Sequence, residues 1–312
     1  MAPSVSQIVA SSYNAVLAVA RKAENQWAEA AALRELERQG MVVRKAFGAQ
    51  LEAPLDYQRN PGATFLSSSL QQLSAAETEV VTDAVYDIAQ IGVPVTWTKL
   101  TEVQNSSENQ KIALSKQLMT NGFDSHDDLV EAAFFATSTS GFLGLLTHIP
   151  DSGQSSDGGI DSTSETMWRS QNSTYVDDTD IEAAFTSVWN ACAKGSGSAL
   201  QPTAMFSDAA TQSLFEGTQQ AMQRYVDSQD LKAGFKTIAF KTARYVYSKN
   251  GGTRVYFTNP KNLQLVVSSG MYRDKGETQE LVQQGQAGYR FNIYSALQLL
   301  TNNRSRLGVA HV

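Results

Sequence analysis

The chain predicts an α+β fold. Apolar residues recur at helical spacing between positions 107 and 137, while alternating β-branched and aromatic residues mark strands at 78–101 and between 237 and 309. A 42% hydrophobic content over 312 residues is enough for a sizeable core and leaves a remainder rich in Ser, Thr and Gln. One large domain or two or three modest subdomains fit that length. Seven Pro and 21 Gly are ordinary counts, which excludes a collagen-like or wholly disordered chain.

Residues 5–38 carry Ile8, Val9, Val16, Leu17, Trp27, Leu33 and Leu36 among Ala, Glu, Arg and Gln, the pattern of one or two amphipathic helices stopped at Gly40. Met41-Val42-Val43, Ala53-Pro54-Leu55-Asp56-Tyr57 and Asn60-Pro61-Gly62-Ala63 then read as short strands and turns joined by polar linker, an extended excursion rather than a compact unit. Residues 78–101 predict strands with Pro94 at an edge or bulge. The longest helix is expected from Ser107, bent at Gly122, with Asp124 or Ser125 capping its second part. Residues 141–149 are a short apolar stretch and 150–163 a flexible Gly/Ser/Asp-rich loop.

A helix is expected at 179–193, with Ile181, Phe185, Val188 and Trp189 as its stripe and Asp178 or Thr179 followed by Glu182 as its start signal. A strand at 202–206, a helix at 208–225 and strands at 237–247, 254–258 and 263–267 make a second α/β region, closed by a last strand pair at 290–300 and 305–309.

Catalytic and ligand-binding templates fail in turn. His126, His148 and His311 are not spaced as a metal-ligand set, and neither HExxH nor a cysteine pair exists. Cys192 sits in Val-Trp-Asn-Ala-Cys, the setting of a buried thiol rather than a nucleophile. Asp127/Asp128 and Asp177/Asp178/Asp180 read as helix-start or solvated carboxylates. Gly153, Gly158 and Gly159 lack the spacing that cradles phosphates, and there is no GxSxG elbow. The residues therefore point to no metal, no cofactor and no enzyme. No basic residue precedes the first apolar run, which polar residues interrupt, and no stretch has the length of a membrane span, so the expectation is a cytoplasmic origin, any later extracellular existence being reached by a route other than secretion, with no membrane partner.

The net charge of −6 disfavours a surface given over to nucleic acid. Its distribution is uneven: residues 234–312 hold 11 Lys/Arg against 3 Asp/Glu, leaving −14 on residues 1–233. Such polarity suits a protein that turns one end towards a polyanion or pairs acidic with basic faces between copies. Lys236, Lys241, Arg244, Lys249, Arg254, Arg304 and Arg306 are the candidate basic contributors.

In order along the chain, these motifs resemble the HK97-fold coat family, the major capsid proteins of tailed double-stranded DNA bacteriophages, from about Gly40 onward. Met41-Val42-Val43 through Tyr57 resembles the family's extended loop, Thr82-Asp83-Ala84-Val85-Tyr86 through Trp97 its returning strand, and residues 107–137 its long spine helix. Gly158-Gly159-Ile160-Asp161 followed by Met167-Trp168-Arg169 is similar to the family's GGID…WWR phrase, with Met167 in place of one aromatic. Gln201-Pro202-Thr203-Ala204-Met205-Phe206 resembles the entry to its axial domain, and Arg254 to Leu263 its late strand with an Asn259-Pro260 turn.

The resemblance implies an N-terminal arm (1–38), an extended loop with flanking strands (39–95), a peripheral domain with the spine helix (96–181), an axial domain (182–285) and peripheral return strands (286–312). It further implies a virion capsid protein that assembles in the host cytoplasm into hexamers and pentamers of an icosahedral shell. Its partners would be many copies of itself, packaged double-stranded DNA held by non-specific electrostatics, and portal, scaffold and decoration proteins. Met41, Val43, Leu55 and Tyr57 would lock the loop, and Trp97 and Trp168 would anchor domain or subunit junctions. Arg169, Arg290, Arg304 and Arg306 would make interchain ion pairs or face DNA. Lys45 is the one loop lysine before Lys99, and closure without covalent crosslinks is expected. Two other readings stand beside this one: an encapsulin-like nanocompartment shell, and a soluble enzyme with a non-local active site.

Overall fold

A strand needs partners for its backbone and a second layer for its apolar face, and the chain meets both needs with two six-stranded sheets that share one long helix. The computed structural model describes residues 30–312, apart from residues 47, 57, 61, 69–71, 73–79, 105–107, 196–199, 224–238 and 282–286. The helices expected before residue 30 lie outside the described residues.

Helix α1 (Ala31–Arg38) leads into β1 (Val42–Lys45), the ribbon of β2 (Gln50–Asp56) and β3 (Val81–Asp87), then β4 (Ala89–Thr98), the short α2 (Lys99–Gln104) and the 28-residue α3 (Glu108–Phe135). Two small hairpins, β5 (Ser138–Thr139) with β6 (Phe142–Leu143) and β7 (Ser156–Asp157) with β8 (Ile160–Asp161), bracket the single-turn α4 (Leu145–His148). Next come β9 (Gln171–Thr174), α5 (Ile181–Cys192), β10 (Ala204–Ser207) and α6 (Ala209–Gln223). The chain ends with β11 (Ala239–Phe240), β12 (Ala243–Tyr247), β13 (Val255–Thr258), β14 (Leu263–Ser268), β15 (Asp274–Lys275), β16 (Gln279–Glu280), β17 (Gly288–Thr301) and β18 (Gly308–His311).

The first sheet is built on β17. It pairs antiparallel with β4 along one edge and with β14, β15 and β16 along the other, and β1 adds parallel to β14. Strand β4 runs unbroken through Pro94, which faces Asn292 and is tolerated because β17 is the only sheet neighbour of β4 among the described residues. The second sheet has the order β11-β12-β10-β13-β18-β9. The last two strands thus do not pair with each other: β17 joins the first sheet and β18 the second. Where one strand is expected over 237–247, the described residues 239–247 form the β11–β12 hairpin, turning at Lys241, whose φ is 53°.

Helix α1 and the C-terminal half of α3 lie between the sheets, where Leu33, Leu36, Phe134 and Phe135 meet Leu265 and Leu299 of one and Phe206 and Tyr256 of the other. The far side of the second sheet is covered by α5 and α6, whose Phe185 and Phe215 stack among Phe240, Tyr245 and Phe257. With both faces covered, all four residues of β10 are buried. Cys192 lies in this second core, and burial pushes its thiol up to about 12.

Three local expectations are corrected by packing. Helix α3 passes uninterrupted through Asn121-Gly122, so Asp124 and Ser125 are interior positions rather than caps. Gly122 is there for close approach: a Cβ would come within 2.8 Å of Ile293 Cδ1 and 2.9 Å of Val95 Cγ2, so its absence lets α3 settle on β4 and β17. Asp127 is not a helix-start carboxylate but a buried group in mid-helix, paired with Arg273 and 3.2 Å from His126 Nδ1. At the start of α5 the N-cap is Asp180, which makes no side-chain cap bond, and Asp177 instead accepts from the Thr179 N–H at 2.9 Å.

The N-terminus of α1 also lacks a cap of its own. Glu131, from α3, supplies one across 99 residues: its Oε2 accepts from the Ala32 N–H at 3.1 Å, and its Oε1 accepts from the Ser248 hydroxyl. Burial raises the pKa of this carboxyl despite those donors. Replacing Glu131 with Ala leaves the α1 amides and Ser248 unpaired and is expected to lower unfolding free energy by about 1–3 kcal/mol. Gly122→Val, which overfills the α3–β17 contact, is expected to cost about 1–3 kcal/mol as well. Urea denaturation followed by circular dichroism measures both.

Candidate functional site

The β2–β3 ribbon stands apart from both sheets and is the element whose surface most needs explaining. Its strands alternate cleanly. Leu51, Ala53, Leu55, Ala84 and Tyr86 turn inward, and Gln50, Glu52, Pro54, Asp56, Val81, Asp83, Val85 and Asp87 turn outward. A two-stranded ribbon is marginal alone in water, and this one is seated on its own chain. Its inner face packs against Ile160, Met167 and Trp168 and against Val266 and Leu300 of the first sheet.

That seat is the Gly158-Gly159-Ile160-Asp161…Met167-Trp168-Arg169 phrase singled out in the sequence. Gly158 and Gly159 have φ of 60° and 80°, the left-handed region where glycine is favoured. A Cβ on Gly158 would also lie 2.7 Å from Ala84 Cβ, so the glycine is what lets the ribbon come down. The Val85 N–H donates to Gly158 O at 3.0 Å, Trp168 Nε1–H to Asp157 O at 3.0 Å, and Arg169 to the carbonyls of Ser162 and Thr163. Residues 150–163 are therefore a hydrogen-bonded layer, not the flexible loop expected from their composition.

Beneath the layer lies a fully buried polar cluster. Arg304, on the single 3-10 turn between β17 and β18, donates Nε–H to His148 O at 2.8 Å and reaches both the carbonyl and hydroxyl of Ser155. Its Nε is 3.7 Å from Asp157 Oδ2, which also faces His148 Nδ1 at 2.8 Å. Burial lowers the Arg304 pKa, with Asp157 opposing. Gln298, buried in β17, closes the root of the ribbon. Its amide donates to the carbonyls of Asp87 and Gly141 and accepts from the N–H groups of Leu143 and Leu299, so all four of its bonding positions are used.

The outer face is different in kind. Glu52, Asp56, Asp83 and Asp87 make it acidic with no basic residue among its outward positions, and Phe65 and Leu66 near the tip are exposed. A second apolar patch is Leu100 and Val103 on α2, 65% and 71% exposed.

The other residues singled out in the sequence fall in several places. Met41 is buried in the main core, with no surface left to lock a loop. Val43 is half-buried in β1 opposite Val266, Leu55 is on the inner face of the ribbon, and Tyr57 lies outside the described residues. Trp97 stacks on Tyr289 at 5.6 Å within the α3–sheet core, and Trp168 joins ribbon to body within one chain. Arg290 is half-buried and donates to Asn292 Oδ1 at 2.9 Å, and Arg306 is half-buried on the same turn as Arg304. Arg304 itself has no exposed surface for DNA or a neighbour.

Part of the basic surplus of the C-terminal region is likewise used internally. Arg254 makes a bidentate pair with Asp151 at 2.7 Å, Arg273 pairs with Asp127, and Arg244 is 3.7 Å from Glu35. Asp157, Gln298 and Glu131 were not picked out from the sequence, and His148 was weighed only as a metal ligand. A lone amide or carboxylate inside an apolar run, as in Ala296-Leu297-Gln298-Leu299-Leu300, is the signal that marks two of them.

No family model and no curated protein matches the chain. Solved structures do. The chain superposes on a capsid protein of cyanophage A-1(L) with a TM-score of 0.67 at 12% identity, over 94% of this chain and 96% of that one. It superposes on the capsid of Myoviridae phage XM1 with a TM-score of 0.58 at 12% identity, over 94% and 95%. The SrpI encapsulin of Synechococcus elongatus PCC 7942 matches with a TM-score of 0.55 at 12% identity, over 97% and 94%. The chain thus shares the fold of these phage capsid and encapsulin structures. Among the described residues no group of three or more His, Cys, Asp or Glu is placed to hold a metal, and no helix is long and apolar enough to cross a membrane.

Two substitutions separate the buried cluster from the surface. Arg304→Met strands the Asp157 carboxylate and is expected to lower stability by roughly 3–5 kcal/mol, whereas Arg306→Ala is expected to cost within about 1 kcal/mol. Gln298→Leu leaves four backbone groups unpaired and is expected to cost about 2–4 kcal/mol. Chemical denaturation of the three variants measures the differences.

Proposed function

We propose that this chain is a major capsid protein that assembles into hexamers and pentamers of an icosahedral shell enclosing double-stranded DNA. The observation that carries the reading is the near end-to-end superposition on the cyanophage A-1(L) capsid protein, at a TM-score of 0.67. The ribbon supports it: an acidic outer face and exposed Phe65 and Leu66 are surface that a monomer has no use for.

In this reading residues 96–181, with α3, and the return strands 286–312 form the peripheral domain, and residues 182–285, with α5 and α6, the axial domain. Residues 1–38 form an arm whose final helix, α1, is held between the two sheets, and 39–95 carry the ribbon, whose outer face meets a neighbouring subunit. Leu55, Val43 and Tyr57 shape the ribbon and its approach, and Arg290 and Arg306 are the arginines left for interchain ion pairs. Portal, scaffold and decoration proteins are the further partners, with assembly in the host cytoplasm. Closure is noncovalent, with Lys45 uncrosslinked.

A nanocompartment shell is the second reading. It is favoured by the SrpI encapsulin match and by the internal pairing of Arg254, Arg273 and Arg304, which leaves less positive surface for DNA. Purified protein is expected to form uniform closed shells of tens of nanometres in electron micrographs and to run as a single monomer band under denaturing conditions. A chain that stays monomeric or dimeric at every concentration overturns the shell, a ladder of covalent oligomers overturns noncovalent closure, and native shells holding protein cargo in place of DNA select the nanocompartment.

A further inference from the structure

Helix α3 turns outward a face unlike an ordinary solvated one. Its inward side sets Met119 and Phe123 against the first sheet and Val130 and Phe134 into the core between the sheets. On the opposite side Gln117, Asn121, Ser125, Leu129 and Ala132 form a stripe that is exposed at every position and carries no charge. Its C-terminal end is apolar, with Leu129 44% exposed. The outward face of a core-packed helix is where charged side chains belong, yet α3 buries Asp127 and Glu131 and leaves this stripe bare of them.

The chain itself supplies a cover. Ala30 enters α1 beside the C-terminal end of the stripe, because the Ala32 N–H donates to Glu131 Oε2 at 3.1 Å and Glu131 directly precedes Ala132. Twenty-nine residues come before Ala30. From Gln117 to Ala132 the stripe measures about 22 Å along the helix axis, and twenty-nine residues cover about 43 Å even at the short rise of a helix, so the reach is ample. Composition agrees with position. Residues 1–20 contain no Asp, Glu, Lys or Arg and carry Val5, Ile8, Val9, Val16, Leu17 and Val19, so no charged side chain is desolvated when such a segment meets such a stripe. The first charges after it are basic, Arg21 and Lys22, and the half-buried residues flanking the stripe include the acids Asp124 and Asp128.

We propose that the outward stripe of α3 is a docking surface for residues 5–29 of the same chain, which run along it from Ala132 back towards Gln117. The N-terminal segment is then a cover for its own longest helix and not a strap to a neighbour. The contact lies within one chain, so it holds whether or not the chain assembles into a shell.

Photo-crosslinking of the full-length chain tests it. Benzoylphenylalanine is placed at Ser125 or at Leu129, both exposed, and at exposed Tyr247 of β12 as the control. After irradiation the monomer and dimer bands of a denaturing gel are digested and the joined peptides identified by mass spectrometry. From Ser125 and Leu129 the expected product is a monomer-band crosslink to residues 5–29, absent from the Tyr247 control. Crosslinks to residues 5–29 that appear only in the dimer band place the segment on a second copy and overturn the proposal, as does a monomer band without them. Val16→Asp with Leu17→Asp puts two charges into the segment and leaves every described residue unchanged, so the monomer-band crosslink is expected to be lost, and its persistence at the wild-type level also overturns the docking. Particle imaging of the same preparation is read separately. Shells whose chains lack the intrachain crosslink sink the docking alone, and the crosslink in a chain that never assembles sinks the shell alone.

Discussion

A two-stranded ribbon has one apolar face and nothing behind it, so β2 and β3 keep their geometry only through the layer that Ile160, Met167 and Trp168 place beneath them. The other particulars of this region follow from that need. Gly158 is required where the ribbon comes closest, Trp168 packs with Leu51 and Tyr86, and the turn carrying Arg304 donates to the carbonyls of His148 and Ser155. Gln298 bonds the root of β3 to the segment after α3, which couples the ribbon's position to the centre of the first sheet.

The same economy governs charge. A surplus of Lys and Arg in the last quarter of the sequence looks like a surface meant for a polyanion, but charge in a sequence has no address. Folding brings Asp151 to Arg254, Asp127 to Arg273 and Asp157 to Arg304, partners separated by 103, 146 and 147 positions. In these three pairs the acid comes from the negative part of the chain and the base from the positive part, so some of the polarity seen along the sequence is complementarity within one subunit. The outer face of the ribbon, with Glu52, Asp56, Asp83 and Asp87, carries acids and no base at its outward positions.

Much of the architecture was legible. The α5 stripe of Ile181, Phe185 and Val188 and the strands around Val255 and Leu265 bury the faces that their periodicity marks, whereas α3 has the expected length but leaves Leu129 exposed and buries His126, Asp127 and Glu131. The Gly158…Arg169 phrase drew attention because glycines in tandem ahead of a Trp are locally odd, and the oddity is the seat of the ribbon. Gly122 and residues 150–163 misled for one reason: a glycine or a polar loop looks the same in sequence whether it breaks an element or lets one element touch another.

Alone, the sequence determined which faces are apolar, where the backbone needs glycine and that no local motif supports catalysis, since all of these are set by neighbours within a few residues. Only the tertiary structure decided where β17 and β18 part company, which arginines are sealed inside, and that Glu131, His148 and Gln298 are structural hubs. Those outcomes depend on partners more than a hundred positions away or on the absence of water, and neither is written in local periodicity.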